Sequence, residues 1–360
     1  MYLAVLGREP ELSVAELEAL FDDVKRISEN LAVFENKERP EIARLGGSLK
    51  LAEKLEQKPL DFLNNLPEGK ITIGVSDYSK GASKKTASLE AMKLKKILTR
   101  HGRSVRVVLG EKTLATATTL HNGMSGKNPR KIELIKYNDD WYRVIGVQDI
   151  DAYAKRDQGR PARDAKVGML PPKLAQILIN LCGPLEDGAV VLDPFCGTGV
   201  VLQEALLMGY LAYGTDVSER MIEYSRRNLE YFSFKKYKLD FGDATSFQWQ
   251  QPIDAVACEG YLGKPMSKIP SEIELKEQKQ ECGAIILGFL KNLAGQISKN
   301  TPVVLAAPAW LRENGKYERL EILDQIKDMG YNVENKTREG LFYHREGQVV
   351  ARDIIILRKV

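Results

Sequence analysis

Three aspartates in the C-terminal half stand where short apolar runs stop. They are Asp193 after Val190-Val191-Leu192, Asp216 after Leu211-Ala212-Tyr213-Gly214-Thr215, and Asp243 in Leu239-Asp240-Phe241-Gly242-Asp243-Ala244-Thr245. A β-branched run that ends in an acid, turns through glycine and restarts with helical periodicity reads as strand, tight loop and helix, half of a β-α-β unit. The first acid opens such a loop, Pro194-Phe195-Cys196-Gly197-Thr198-Gly199, before Val200-Val201-Leu202-Gln203-Glu204-Ala205. Gly197 and Gly199 lack Cβ atoms, so the chain can turn sharply and a ligand can approach its backbone. The helix start behind them offers unpaired N–H groups. A carboxylate at Asp216, at the end of the next strand, suits the two hydroxyl donors of a ribose diol. A dinucleotide fingerprint would read G-x-G-x-x-G and a phosphate loop would need Gly-Lys-Ser/Thr; neither motif is in the chain.

Asp-Pro-Phe-Cys-Gly-Thr-Gly resembles motif I of the class I S-adenosylmethionine-dependent methyltransferases, in the branch that modifies nucleic-acid bases. The resemblance implies a Rossmann-like α/β domain holding that cofactor through Asp193, Phe195, Cys196, Gly197, Thr198 and Gly199, with Asp216 and Val217 at the ribose. Asp243 and Ala244 would meet the adenine, Asp243 accepting from its amino group. Upstream lie Arg160-Pro161-Ala162-Arg163-Asp164 and Gly168-Met169-Leu170-Pro171-Pro172-Lys173-Leu174-Ala175-Gln176-Ile177. With the opening Leu6-Gly7-Arg8-Glu9-Pro10-Glu11-Leu12-Ser13-Val14-Ala15-Glu16-Leu17 and Leu45-Gly46-Gly47-Ser48-Leu49-Lys50, they make essentially the whole chain similar to one family. That family is the archaeal and eukaryotic tRNA guanine N2-methyltransferases acting on the tenth position, with their bacterial relatives. The resemblance implies that Met169 and Pro171 sit beside the methionine part of the cofactor.

Amino methyltransferases of that branch usually carry Asp/Asn-Pro-Pro-Tyr after the fourth strand. The acid or amide, with a backbone carbonyl, accepts from the exocyclic amine, and the aromatic ring stacks on the base. Here the stretch is Cys258-Glu259-Gly260-Tyr261. Tyr261 keeps the stacking position, while Cys258 stands where the acid or amide belongs. Three readings stay open: Glu259 accepts the amine's hydrogen bonds, or the chain binds tRNA and cofactor as a catalytically silent homologue, or the substrate is another base in rRNA or DNA. Cys258 as a covalent nucleophile would need a depressed pKa, for which nothing nearby in sequence provides.

The remaining elements must position these groups. Residues 2–6 read as a strand and Ser13-Val14-Ala15-Glu16 as a capping box opening a helix to Phe21, with Leu17 and Leu20 buried. A strand at 31–34, a helix from about Pro40 and a further strand follow, making an α+β unit of ferredoxin-like type over 1–65. Over 66–147 come a strand at 71–76, a helix from Thr86 to about His101 with Leu89, Met92 and Ile97 apolar, a strand at 104–109, a helix at 113–120, and strands at 131–137 and 141–147. That layout resembles a THUMP domain, an RNA-binding module. A linker over 148–168 leads into the methyltransferase domain, 169–360. There a Pro-marked turn opens a helix, Ser218 opens another that should end near Asn228, and Asp243 ends the third strand. Helices at 282–293 and 317–329, a strand at 302–306 and an antiparallel pair at 342–346 and 349–358 complete the alternation.

Charge is uneven along the 360 residues: Met1 to Lys70 holds 10 Lys/Arg against 14 Asp/Glu, while Lys80 to Lys112 holds 10 against 2. A basic block inside a chain of net charge +4 suggests a polyanion surface. Lys84, Lys85, Lys93, Lys96, Arg100 and Arg103, with Arg160 and Arg163 of the connector, are the candidate RNA-binding residues. No apolar run approaches the roughly 20 residues of a membrane span, and the N-terminus does not read as a signal peptide. Four scattered cysteines and three scattered histidines argue against a disulfide framework or a metal site. The expected protein is a cytoplasmic monomeric enzyme that uses S-adenosylmethionine on tRNA or another structured RNA, without metal or membrane.

Overall fold

The structure is a computed structural model describing residues 1–163, 169–335 and 340–360. It divides into two compact units, Met1–Tyr153 and Ala154–Val360.

The first unit contains β1 (Tyr2–Leu6), α1 (Pro10–Leu20), β2 (Asp22–Ser28), β3 (Leu31–Glu35), β4 (Ser48–Lys54), α2 (Pro59–Asn64), β5 (Ile71–Asp77), α3 (Lys84–Arg100), β6 (Val105–Val108), α4 (Thr116–His121), β7 (Lys131–Tyr137) and β8 (Asp140–Val147). Its eight strands form one sheet in the order β2-β3-β1-β4-β8-β7-β5-β6. The segments expected as separate domains on either side of residue 65 thus share a sheet, joined where β4 pairs antiparallel with β8.

A buried polar cluster ties those halves together. Lys50 Nζ on β4 donates to both carboxylate oxygens of Glu133 on β7, at 2.7 and 2.8 Å, and to the Leu114 carbonyl at 2.7 Å. Ser76 and Thr119 donate to the same carboxylate. Lys50, Ser76, Thr119 and Glu133 are all nearly inaccessible, so the charges survive burial only because each is paired and hydrogen-bonded.

Several expectations change here. Ser13 and Glu16 do not form a capping box: Pro10 starts α1 a turn earlier, and both residues lie on its buried face. There Ser13 Oγ donates to the Gly47 carbonyl at 2.6 Å, and Glu16 accepts from Gly46 N and Gly47 N at 2.8 Å each. The helix expected from Pro40 is only a 3-10 turn, Ile42–Arg44. On α3 the buried face is Ala87, Ala91, Leu94 and Leu98, whereas Leu89 and Met92 are exposed. Leu94 and Leu98, with Ala87 and Ala91, pack toward the sheet instead.

The second unit follows α5 (Ile150–Gln158) with α6 (Pro172–Asn180), β9 (Val190–Asp193), α7 (Val200–Leu207), β10 (Leu211–Asp216), α8 (Glu219–Tyr231), β11 (Tyr237–Phe241), β12 (Ala255–Glu259), α9 (Glu272–Ala294), β13 (Pro302–Leu311), β14 (Tyr317–Arg319), α10 (Leu323–Asp328), β15 (Tyr331–Val333), β16 (Phe342–Tyr343) and β17 (Val350–Lys359). The main sheet runs β11-β10-β9-β12-β13-β17-β15. The first five strands are parallel, and β17 enters antiparallel between β13 and β15. The strand order reverses at β9, between β10 and β12, which is where such sheets open a crevice at their carboxyl ends.

This is the Rossmann-like architecture that the resemblance implied, with local differences. The stretch expected as a helix over 317–329 is β14 followed by the short α10. Asn228 lies within α8 rather than at its end, and β11 stops at Phe241, before Asp243. Asp164 and Gly168, parts of the connector motif, lie outside the described residues.

Replacing Lys50 by Met leaves the Glu133 carboxylate buried without its cation. Urea unfolding of the full chain is expected to show a loss of about 3–5 kcal/mol, and Lys50→Met with Glu133→Leu should regain most of it. A single-variant loss below roughly 1 kcal/mol would show that the pair does not join the halves.

Candidate active site

The loop between β9 and α7 is shaped by its glycines. Gly197 and Gly199 have φ of 50° and 81°, in the left-handed region that penalises a side chain. A Cβ on Gly199 would also press on the Ser225 backbone of α8 at 3.3 Å. Two carboxylates organise the loop from within. Asp193 Oδ1 accepts from Phe195 N at 3.1 Å, and Asp216 accepts from Gly197 N and Ser218 N at 2.9 Å each. Asp216 therefore ties the loop after β9 to the loop after β10.

Asp193 is 2% exposed. Burial, with Asp216 and Glu259 nearby, pushes it well above the usual carboxylate range despite the Phe195 hydrogen bond. Burial also raises Asp216.

Two adjoining cavities open at these carboxyl ends. One, of about 600 Å³, is lined by Met169, Asp193, Phe195, Cys196, Gly197, Thr198, Asp216 and Val217, and by Glu259, Gly260, Tyr261, Lys264, Gln348 and Arg352. The second, of about 530 Å³, adds Asp243, Ala244 and Thr245 and shares Phe195, Asp216, Val217 and Tyr261 with the first. Volumes of this size suit a nucleoside-sized ligand. Asp243 is exposed, and its Oδ1 accepts from Thr245 N and Oγ1 at 2.9 and 2.8 Å. Cys196 packs inward, its thiol 3.7 Å from Ser225 Oγ. Pro171 caps α6 next to the lining residues Met169 and Leu170 but does not itself line the cavity. Gly199 serves the turn rather than the wall.

Glu259 is the last residue of β12 and reaches into the larger cavity. Its Oε1 accepts from Arg352 Nε of β17 at 2.6 Å. Burial raises its pKa, and Arg352, then Arg345, act against that rise. Cys258, one position earlier, points to the opposite face of the strand. It is 0% exposed within the apolar core, and burial pushes its thiol well above the ordinary value. A nucleophilic role for Cys258 is corrected: the thiol is neither reachable nor ionisable at neutral pH. Tyr261 lines both cavities and donates from Oη to Glu281 Oε1 of α9 at 3.2 Å. Its loop is closed at Gly263 (φ 84°), where Lys264 N donates to Gln278 Oε1 at 2.8 Å and a Cβ would collide with that oxygen.

Two arginines expected at an RNA surface have other work. Arg160 is 3% exposed, and its guanidinium donates to Thr198 Oγ1 at 3.1 Å and approaches Met169 Sδ at 3.7 Å, bracing the glycine loop. Arg103 donates to the Leu66 and Pro67 carbonyls at 3.0 and 2.7 Å. Both were read as surface cations from charge alone, which does not distinguish a solvated arginine from one buying backbone order. Arg163 is exposed, as are Lys84, Lys85, Lys93, Lys96 and Arg100 on α3, with Lys84 paired to Glu111 at 3.0 Å.

The residues that sequence reasoning missed are Asn228 and Arg352. Asn228 accepts from Ala162 N and donates to the Ala162 and Thr198 carbonyls, all at 2.9 Å, fastening the connector to the loop. Arg352 lies 93 residues from its partner Glu259, so no local pattern could reveal it; only the β13–β17 pairing brings it there.

Residues 185–320 match the family model described as a methyltransferase domain, and residues 81–227 one described as DNA methylase. The chain is 31% identical over 144 residues to the tRNA (guanine(10)-N2)-dimethyltransferase of Methanothermobacter thermautotrophicus, covering 40% of each. It is 40% identical over 97 residues to that of Pyrococcus abyssi, covering 26% of this chain and 29% of the relative. The alignments thus span two fifths or less of these relatives' lengths. Among solved structures, TrmN from Thermus thermophilus is similar over 100% of this chain and 99% of its own, at 19% identity and a TM-score of 0.49. The methyltransferase-domain match thus falls within the second unit, whose sheet order and loop after β9 are Rossmann-like.

Proposed function

We propose that the protein methylates the exocyclic N2 of a guanosine in tRNA, with S-adenosylmethionine as the methyl donor. The observation that carries this reading is one cavity with two chemistries: it is lined both by the Asp193–Val217 loops and by the carboxylate of Glu259 with the ring of Tyr261.

The residues present fit the cofactor. Asp216, its carboxylate already oriented by two backbone donors, accepts from the ribose hydroxyls. Phe195, Val217 and Ala244 enclose the adenine, with Asp243 accepting from its amino group. Met169 and Asp193 border the methionine end, and Pro171 holds the turn behind them. When bound, the cofactor supplies a methyl group activated on a sulfonium. Catalysis is then mainly positioning. Tyr261 stacks on a base taken out of its helix. Glu259, with a neighbouring backbone carbonyl, accepts from the amine's N–H groups, turns its lone pair toward the methyl and takes up the proton that nitrogen sheds.

In the first unit, 66–147 serves as a THUMP-like RNA-binding module beside an α+β segment, 1–65, and 148–168 links to the catalytic part. Lys85, Lys93, Lys96 and Arg100 follow the phosphate backbone, so the RNA is selected by shape and charge. The DNA methylase match over 81–227 favours a second reading, methylation of an amine on a DNA base, and substrate competition separates the two.

Calorimetric titration is expected to show Asp216→Ala losing S-adenosylmethionine binding. Glu259→Ala should bind with little change but transfer methyl to unmodified tRNA about 100-fold more slowly or worse; an active Glu259→Ala enzyme would remove Glu259 from the mechanism. Reversing Lys93, Lys96 and Arg100 to Glu should weaken tRNA binding by roughly 10³-fold or more and flatten its salt dependence. Unchanged affinity would contradict the α3 surface, and preferential methylation of duplex DNA would favour the second reading.

A further inference from the structure

No proline stiffens the backbone beside Glu259, which stands in Cys258-Glu259-Gly260-Tyr261. Glu259 carries one more rotatable bond than aspartate and is followed by Gly260, so something else must limit its freedom. Sheet pairing supplies a partner. On β13, Ala306 pairs with Glu259 on one side, and Pro308, two residues on, pairs with Arg352 of β17 on the other. Arg352 thereby reaches the end of β12 from across an intervening strand. It is 3% exposed; Nε donates to Glu259 Oε1 at 2.6 Å, Nη1 lies 3.5 Å from Gln348 Oε1, and Cζ stands 6.0 Å from the ring centre of Tyr343. A planar guanidinium held on three sides has little freedom of its own.

We propose that Arg352 is the positioning residue of the reaction: it fixes Oε1 of Glu259, presents Oε2 to the exocyclic amine, and keeps the carboxylate ionised. This rests on the methyl-transfer reading above. The arrangement decides between two opposite behaviours of one side chain. An ionised Glu259 is acceptor-only and matches the N–H donors of an amine, whereas a protonated one presents a donor and repels them. The groups facing Glu259 do not favour ionisation without help. Asp193 on β9, the strand next to β12, is a second buried acid near it, and Asp216 lines the same cavity. Against these stand Arg352 on β17 and Arg345 in the preceding turn, with Arg220 and Lys264 farther round the cavity. Arg352 alone among these cations is hydrogen-bonded to the carboxylate among the described residues. An arginine pair also confers selectivity, since a fixed acceptor rewards a substrate with donors at that point, such as guanine N2, over a ring nitrogen without them.

The test uses full-length protein labelled with ¹³C at the glutamate carboxyls, the Glu259 resonance being identified by its loss in Glu259→Gln. In Arg352→Gln the titration midpoint of Glu259 is expected to rise by about one pH unit or more. Arg352→Lys, which keeps the charge but loses the fork, should fall between, and it carries the test if Arg352→Gln does not fold. For tRNA methylation, kcat should fall roughly 10–100-fold in Arg352→Gln, with its acid limb moved to higher pH and KM for S-adenosylmethionine little changed. A Glu259 midpoint and kcat profile unchanged in both variants would overturn the proposal. Absence of methyl transfer by the unaltered protein would instead overturn the methyl-transfer reading, and the titration would still decide whether Arg352 governs Glu259.

Discussion

The two hydrogen bonds accepted by Asp216 are the constraint on which the cavity rim of the second unit depends. A single carboxylate takes Gly197 N and Ser218 N, binding the loops after β9 and β10 into one wall at the point where the strand order reverses. Everything nearby defers to that geometry. Gly197 and Gly199 adopt positive φ to deliver the amide, and Ser225 and Asn228 of α8 hold the far side of the loop through hydrogen bonds to Gly197 and Thr198 carbonyls. Arg160 braces it again at Thr198. The result is a preorganised rim in which most polar groups are already committed, leaving the carboxylate edges and two adjoining cavities for a ligand.

The end of β12 shows how a shift of one residue relocates a side chain. Successive strand residues face opposite ways, so of Cys258 and Glu259 only one can reach the cavity. It is Glu259, at the strand's end, while Cys258 fills the core. A motif read by aligned position places the missing acid at Cys258; a motif read by geometry finds an acid one position on, held by an arginine from a distant strand.

Much of the second unit was legible because local chemistry forced it. An acid ending a β-branched run, two glycines and a helix start permit few arrangements, and Asp193, Gly197 and Asp216 line one cavity at the strand ends. What sequence concealed was set by tertiary pairing. Ser13 and Glu16 fit a cap by spacing, yet Pro10 began the helix earlier and turned them toward Gly46 and Gly47. Leu89 and Met92 looked like core residues, but the helix turns Ala87, Ala91, Leu94 and Leu98 inward and leaves those two exposed. Arg103 and Arg160 counted as surface charge until their carbonyl and hydroxyl partners became visible. The Lys50–Glu133 pair, buried beneath the joined sheet, spans 83 positions, beyond any periodicity.

The central claim is that the Glu259 wall recognises an exocyclic amine, and the identity of the methylated nucleoside tests it most directly. Unmodified tRNA incubated with the purified protein and labelled S-adenosylmethionine would be digested to nucleosides and analysed by mass spectrometry. The account predicts that the label resides in N2-methylguanosine. Label on a ring nitrogen, a ring carbon or a ribose would contradict it, because those positions offer no amine for the carboxylate to hold.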